Sequence, residues 1–87
     1  MTNVRILGVK VCNRQSVAAQ VQVLLTKYGS SIRTRLGLNE PGESDKSGSL
    51  IVLELIGNIH EWEKLEKELL QLEKVEVKRM DFETNVC

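Results

Sequence analysis

The apolar residues of this chain recur at two spacings, and the spacing changes from segment to segment. In four segments the apolar residues alternate with polar ones or form short β-branched runs, which is typical of β-strands. Two other segments repeat apolar residues every three or four positions, which is typical of amphipathic helices. The predicted strands are residues 4–12, 31–38, 50–56 and 75–82, and the helical stripes are Val17, Val21, Leu24, Leu25, Tyr28 and Ile59, Trp62, Leu65, Leu69, Leu72.

Four residues mark the predicted ends of the helices. Asn13 and Asn58 precede the two apolar stripes, and an asparagine side chain accepts a hydrogen bond from a free N–H group of the first helical turn. Glu61 stands three residues after Asn58, which predicts a capping box at the start of the second helix. Gly29 follows the first stripe, and we expect it to end that helix in the left-handed conformation.

The predicted order of elements is β-α-β-β-α-β, a repeat of two β-α-β units. Because each helix has one apolar stripe, both helices are expected to cover the same face of a four-stranded antiparallel sheet. This is the α+β, ferredoxin-like arrangement, with the first and third strands in the centre. We predict a single domain over residues 1–87, with an ordered core of about residues 4–82 and a flexible polar loop at residues 39–48.

The face of the sheet that the helices leave uncovered is predicted to be apolar. An apolar face of this size is usually covered by another protein surface. We therefore predict a homodimer or a homotetramer that associates through this face or by pairing of edge strands. By alternation along the central strands, the contact residues are Ile6, Leu50, Val52 and Ile56, with Gly8, Lys10 and Glu54 among them.

Charge is divided unevenly between the two halves of the chain, although twelve basic and twelve acidic residues cancel overall. Residues 1–39 have six bases and no acid, whereas residues 40–87 have six bases and all twelve acids. Two interpretations stay open: the halves pair inside the fold, or the basic half binds an anion, a nucleotide or an acidic partner. The overall balance disfavours nucleic acid as a partner, and no helix-turn-helix or aromatic strand platform is predicted.

A candidate anion site lies where the first strand meets the first helix. Asn13 and Arg14 occupy the predicted first turn of that helix, whose free N–H groups favour negative charge. Arg33 and Arg35 on the second strand could join them only across a subunit contact. The alternative is that these arginines pair with the acidic half of the chain.

Residues of the common catalytic and metal sites are scarce. His60 is the only histidine, and no Ser-His-Asp or Cys-His pairing is recognisable around it. Cys12 and Cys87 form no disulfide framework, and we interpret Cys12 as a small half-buried residue. We expect no enzymatic activity, no metal and no cofactor. The apolar runs are too short to cross a bilayer and no signal peptide is recognisable, so we expect a cytoplasmic protein and no membrane partner.

A set of short motifs resembles the family of iron-only hydrogenase system regulators. The resemblance is carried by Tyr28-Gly29, by Ile32-x-x-Arg35-Leu36-Gly37-Leu38, by Gly48-x-x-Ile51-Val52 and by the final strand, and it covers about residues 4–82. The chain departs from the family pattern at Asn39, where the family has proline, and in its longer, more acidic loop at residues 39–48.

The resemblance implies an ACT-like, ferredoxin-like domain. Domains of this type commonly oligomerise and bind small ligands, often amino acids, between subunits near the loop after the first strand. Carried over to this sequence, the ligand-binding positions are Gly8, Cys12, Asn13, Arg14, Arg35 and Gly37.

Three functions stay open at this stage. The first is a regulatory module that senses a small anion or amino acid, or modulates assembly, as an oligomer, with a link to the iron-only hydrogenase system implied by the resemblance. The second is a non-catalytic accessory subunit that binds another protein. The third, a DNA-binding transcriptional regulator, would require the oligomer to align Arg33 and Arg35 into a basic stripe.

Overall fold

The computed structural model describes residues 4–11, 15–38 and 49–83. Its elements follow the predicted order: β1 (Val4–Val11), α1 (Gln15–Lys27), a short 3₁₀ turn (Gly29–Ser31), β2 (Ile32–Leu38), β3 (Ser49–Leu55), α2 (Ile59–Leu70) and β4 (Val75–Phe82). Each strand begins and ends within one residue of its predicted bounds. The predicted loop at residues 39–48 and the predicted N-cap Asn13 lie outside the described residues.

The strands form one antiparallel sheet in the order β2-β3-β1-β4, which confirms the ferredoxin-like prediction. β1 and β3 take the central places because their sequences are apolar on both faces. Together the edge strands β2 and β4 carry six charged residues against three in β1 and β3, and charged residues tolerate solvent and discourage the pairing of further strands.

The core lies between one face of the sheet and the two helices. Alternate side chains of β1 and β3 pack against the apolar stripes of α1 and α2. Trp62 is 1% exposed, and its indole N–H donates a 2.8 Å hydrogen bond to the carbonyl of Ile56, so its polar atom is satisfied. The largest fully buried residues are Leu7, Val9, Val21, Leu25, Leu53, Leu55, Trp62, Leu65 and Leu69.

Arg5 is a charged residue within this helix-facing layer, and it is 5% exposed. Its Nε lies 2.5 Å from Asp81 Oδ1 in β4, and its Nη1 lies 3.3 Å from Glu66 Oε2 in α2. Its guanidinium also stands 5.5 Å from the ring centroid of Trp62, within the range of a cation–π contact. Arg79 approaches the same Glu66 oxygen at 3.3 Å. This ion network ties β1, β4 and α2 together.

The end of α1 differs from the prediction. Gly29 does not adopt the left-handed conformation; it begins the 3₁₀ turn, in which the N–H of Ser31 donates to the carbonyl of Tyr28 at 2.9 Å. The N–H of Ile56 in turn donates to the carbonyl of Ser31 at 2.9 Å. This long-range bond favours a tighter continuation of the helix over a left-handed stop. The left-handed glycine is instead Gly57, with φ of 85°.

The start of β2 also differs from the prediction. Regular alternation placed Ile32 on the same face as Thr34 and Leu36, and Arg33 on the other. The strand has a β-bulge between Ile32 and Thr34, so Ile32 pairs with Leu55 and packs on the core. The extra residue turns Arg33 to the opposite face, where it contacts Glu54. A bulge of this kind is set by pairing with β3 and leaves no mark in the local pattern.

The start of α2 follows the prediction at its N-cap but not in the predicted capping box, because the Glu61 side chain pairs with Lys64 instead. Asn58 is the N-cap, and its side-chain oxygen accepts a 2.8 Å hydrogen bond from the N–H of His60. The carboxylate of Glu61 lies 3.4 Å from the ammonium of Lys64, one turn along the helix. Asn58 therefore satisfies one of the free N–H groups of the first turn.

Replacing Arg5 should test whether the buried ion network stabilises the fold. We expect Arg5→Ala to lower the free energy of unfolding by about 3–5 kcal/mol, because it leaves the Glu66 carboxylate nearly buried without this partner. Arg79→Ala is the matched control, since Arg79 contacts the same oxygen at the same distance but its side chain is 55% exposed. We expect that variant to lose less than about 1 kcal/mol. Urea unfolding measures both free energies. Equal losses in the two variants would show that the burial of Arg5 does not determine its contribution to stability.

Alanine substitutions at Gly29 and Gly57 should distinguish the 3₁₀ turn at Gly29 from the left-handed conformation of Gly57. At neither glycine does a Cβ atom meet another atom within 4 Å, so only the backbone conformation differs. Gly57→Ala should destabilise the protein by about 1–2 kcal/mol, because alanine is strained at positive φ. Gly29→Ala should be neutral or stabilise it by up to about 1 kcal/mol. Thermal or urea unfolding measures both changes in stability. A larger loss of stability for Gly29→Ala than for Gly57→Ala would indicate that Gly29, and not Gly57, is left-handed.

Candidate functional site

The sheet face opposite the helices, here called the open face, has a large apolar surface. Its side chains are those that alternate with the buried ones of β1 and β3 and their register partners on the edge strands. Leu36, Leu50, Met80 and Phe82 are 52%, 39%, 57% and 51% exposed. Val4, Ile6 and Val52 are half-buried between them. Such a surface is a candidate binding site because covering it with a partner removes apolar side chains from water, which is favourable.

The four predicted contact residues are found at or beside this face. Ile6, Leu50 and Val52 lie on it, and Leu50 is the most exposed of the three. Ile56 follows the last residue of β3 and is half-buried, with its carbonyl bonded to Trp62. That they form a subunit contact stays a prediction.

The contribution of β4 to the open face was missing from the sequence interpretation. Val75 and Val77 pack on the core, but further along the strand the apolar residues Met80 and Phe82 fall on the opposite face. This change of face within one strand is visible in the sequence as an apolar pattern that shifts by one position. Arg79 and Asp81 take the helix-facing positions there because Glu66 and Arg5 supply their ion pairs.

The charged residues of the open face form two groups. In the first, Glu54 accepts hydrogen bonds from Arg33 at 2.8 Å and from Thr34 at 2.7 Å. Both bonds lower the pKa of Glu54, and the bond from Arg33 contributes more than that from Thr34. The contact with Glu54 in turn raises the pKa of Arg33.

The second charged group lies at the other end of the face, around Gly8. Lys10 is the register partner of Glu76, and Lys78 is the register partner of Gly8. The ammonium of Lys78 is 3.8 Å from the carboxylate of Glu76. No charged side chain on this part of the face is buried, so its charges are available to a partner.

The positions carried over from the family resemblance do not form one site in a single chain. Gly8 lies in the middle of the open face. Arg35 and Gly37 pair with the helix-facing residues Leu53 and Ile51, so they lie on the opposite face of the edge strand β2, with β3 between them and β1. The other positions, Cys12, Asn13 and Arg14, lie outside the described residues.

Several bases of the first half pair with acids of the second half, as the first interpretation of the charge division expected. Arg5 pairs with Asp81 and Glu66, and Arg33 pairs with Glu54. Within the described residues, Arg35 forms no ion pair, so it is the arginine of β2 whose charge stays available.

A second candidate surface is a groove between the two helices, with a volume of about 310 Å³. At one end of the groove, Glu68 joins the helices: Lys27 donates to it at 3.1 Å, and the hydroxyl of Tyr28 donates a short hydrogen bond to it. Both bonds lower the pKa of Glu68, and the bond from Tyr28 contributes more than that from Lys27. The contacts with Glu68 in turn raise the pKa of Tyr28 and of Lys27. The lining residues are Gln20, Val23, Leu24, Glu68, Gln71 and Leu72.

The described parts of the chain contain neither a cluster of metal ligands nor a membrane-spanning helix. No group of three or more His, Cys, Asp or Glu residues within residues 4–11, 15–38 and 49–83 could hold a metal ion. Neither α1 nor α2 is long and apolar enough to span a bilayer.

Comparison with known proteins shows the fold. No protein-family model and no curated protein matches the chain. The uncharacterised protein TM1266 from Thermotoga maritima is similar over 95% of this chain and 100% of its own, with 24% identity and a TM-score of 0.84. A dimeric ferredoxin-like protein of unknown function from Thermobifida fusca matches 93% of this chain and 92% of its own, with 11% identity and a TM-score of 0.50. Neither description mentions a hydrogenase system.

The two carboxylates with lowered pKa values should respond separately to loss of their donors. Tyr28→Phe removes the main donor to Glu68, so the pKa of Glu68 should rise towards its ordinary value while that of Glu54 stays unchanged. A lowered pKa gives stability that is present above the pKa of the unfolded chain and is lost as pH falls through the folded pKa. Tyr28→Phe should therefore lose less stability than the wild type on acidification below about pH 4.5. NMR titration of the carboxyl carbons measures both groups, with Thr34→Val as the converse control; a Glu54 shift in Tyr28→Phe would contradict the assignment.

Proposed function

We propose that the protein is a non-catalytic regulatory module that works as a homo-oligomer associated through its open face. The observation that carries the proposal is the exposed apolar surface of Leu36, Leu50, Met80 and Phe82. The helices cover the other face of the sheet, so a second subunit is the simplest cover for this one. The dimeric state named for the Thermobifida fusca protein, which has the same fold, supports the proposal.

In the proposed mechanism, a small ligand changes the balance between assembly states. A ligand can shift such an equilibrium only by binding one state more tightly than the other. The proposed contact covers Gly8, whereas Arg35 and Gly37 lie on the opposite face of the edge strand β2, so we expect the ligand at Arg35. The available charge of Arg35 suits a small anion or the carboxylate of an amino acid. The motifs of residues 28–38 suggest the iron-only hydrogenase system as the setting.

A second candidate function is that of an accessory subunit which binds another protein. The observation in its favour is the interhelical groove, where Val23 is 67% exposed. A heteromeric complex that survives Met80→Lys but not Val23→Lys would favour this function. Direct DNA binding loses support because the charge of Arg33 is balanced by Glu54.

The self-association proposal is tested by two matched substitutions. Met80 on the open face and Leu70 on α2 have nearly equal exposures of 57% and 61%. Met80→Lys should convert the oligomer to smaller species, because it brings a charge into the apolar contact, whereas Leu70→Lys should preserve the open-face dimer. Sedimentation at tens of micromolar measures both. A wild-type monomer, or equal sensitivity to the two substitutions, would overturn the proposal.

Ligand sensing is tested on the same proteins by thermal-shift screening of amino acids, nucleotides and small anions. A ligand that binds the folded oligomer should raise its melting temperature, and above the dissociation constant the rise should grow with the logarithm of the ligand concentration. Arg35→Gln should abolish the shift without changing the oligomeric state. Absence of any stabilising ligand would favour the accessory-subunit function.

A further inference from the structure

Apolar and charged residues occupy different corners of the open face. Strand register arranges the face in rows: Thr34, Glu54, Ile6 and Met80 form one row, and Leu36, Val52, Gly8 and Lys78 form the next. Two opposite corners are therefore apolar and the other two are charged. The apolar corners are Val4, Ile6, Met80, Phe82 and Leu36, Leu50, Val52; the charged ones are the Glu54 corner (Arg33, Thr34, Glu54) and the lysine corner (Lys10, Glu76, Lys78).

The direction of the two-fold axis decides which residues meet in a homodimer. When two sheets pack face to face, the axis runs parallel to them, and each residue meets the residue at the mirrored position across the axis. An axis across the strands sets Glu54 against the partner's Val52. An axis along the strands sets Glu54 against the partner's Ile6. Both arrangements bury a carboxylate against an apolar side chain, which is unfavourable.

The two diagonals of the face give opposite electrostatic results. An axis through the charged corners sets Glu54 against the partner's Glu54, and like charges in an interface repel. An axis through the apolar corners sets each apolar corner against itself and brings Glu54 between the partner's Gly8 and the partner's Lys78. Nothing lies within 4 Å of the position of a Gly8 Cβ atom, so the carboxylate has room there.

We infer that two copies pack open face to open face with the two-fold axis through the apolar corners, and that Glu54 of each copy pairs with the partner's Lys78. The inference rests on the proposed self-association through this face. Each Glu54 oxygen already accepts one bond, from Arg33 or Thr34, and a carboxylate oxygen can accept a second. The pair is formed twice in each dimer.

The arrangement is compatible with the known geometry of sheet packing. Strands about 4.8 Å apart and rows about 6.8 Å apart set the apolar diagonal roughly 35° from the strand direction. The strands of the two copies then cross at about 70°, close to the orthogonal class of sheet packing. The flat footprint of the four strands is roughly 450 Å² per copy. Projecting side chains increase the contact area towards the roughly 800 Å² per partner of a standard interface.

Charge reversal tests the pairing. Glu54→Lys alone and Lys78→Glu alone should each raise the dimer dissociation constant about 10- to 100-fold, because each brings two like-charge contacts into the dimer. An equimolar mixture of the two variants should form a heterodimer with a dissociation constant close to that of the wild type, since both contacts are again of opposite sign. Rescue on mixing also shows that both variants are folded.

The matched control uses two exposed residues of α2. Glu63→Lys and Lys67→Glu change the net charge by the same amounts, and both residues lie on the helix side of the sheet, away from the open face. Neither variant, alone or mixed, should change the dissociation constant more than about twofold, since distant surface charges are screened by salt. A response equal to that of the open-face variants would show a net-charge effect and would overturn the pairing.

Chemical cross-linking tests the direction of the axis. In a background where Cys12 and Cys87 are replaced by serine, Ile6→Cys lies on the proposed axis and should be linked to its own copy by a short bifunctional thiol reagent. Glu76→Cys lies in the lysine corner, far from the proposed axis, and should not be linked to its copy. Linking of Glu76→Cys would indicate the diagonal through the charged corners and would overturn the inference.

The failure of this inference is distinct from the failure of the proposed function. If the wild type is a monomer, or its dimer is indifferent to Met80→Lys, the open face is not the contact and both fail. If Met80→Lys dissociates the dimer but mixing the charge variants does not restore the affinity, the open face is the contact and only the proposed direction of the two-fold axis is wrong.

Discussion

A sheet with two apolar faces and helices for only one of them is the constraint on which the rest of this structure depends. α1 and α2 each have a single apolar stripe, and both stripes are used on the layer of Leu7, Val9, Leu53 and Leu55. The same strands carry Ile6 and Val52 on the reverse side because side chains alternate along a strand. The open face is therefore a direct consequence of the central position of β1 and β3.

Several charged residues of the described chain form ion pairs that join distant elements. Arg5 is buried at the junction of β1, β4 and α2, where two carboxylates and the ring of Trp62 replace the water that it loses. Glu68 joins the end of α1 to α2 through Tyr28 and Lys27, and the lowered pKa of Glu68 reflects those two bonds. These contacts join parts of the chain that are distant in sequence, and they explain how an acid-free half and an acidic half coexist in one small domain.

The functional proposals depend on the apolar and charged side chains that these contacts leave exposed. The open face keeps its apolar corners exposed. Each charged corner has an ion pair of its own, Arg33 with Glu54 or Lys78 with Glu76, and in the proposed dimer another copy of the chain supplies further opposite charge. Arg35 is on the other side of the edge strand, apart from Gly8. A single chain thus leaves the apolar open face uncovered, which is why oligomerisation is central both to the proposed regulation and to its tests.

The amino-acid sequence by itself determined the order of elements, the central strands, the N-cap Asn58 and the apolar residues of the central strands, because spacing and side-chain type are local properties. The bulge that moves Ile32 to the core and Arg33 to the open face was decided only in the tertiary structure, by pairing with β3. So was the 3₁₀ turn at Gly29, which a bond from Ile56 supports. The apolar pattern of β4 shifts by one position in the sequence, but only its pairing with β1 places Met80 and Phe82 on the open face. Each of these depends on a partner far away in the chain, and a local pattern carries no information about where that partner lies.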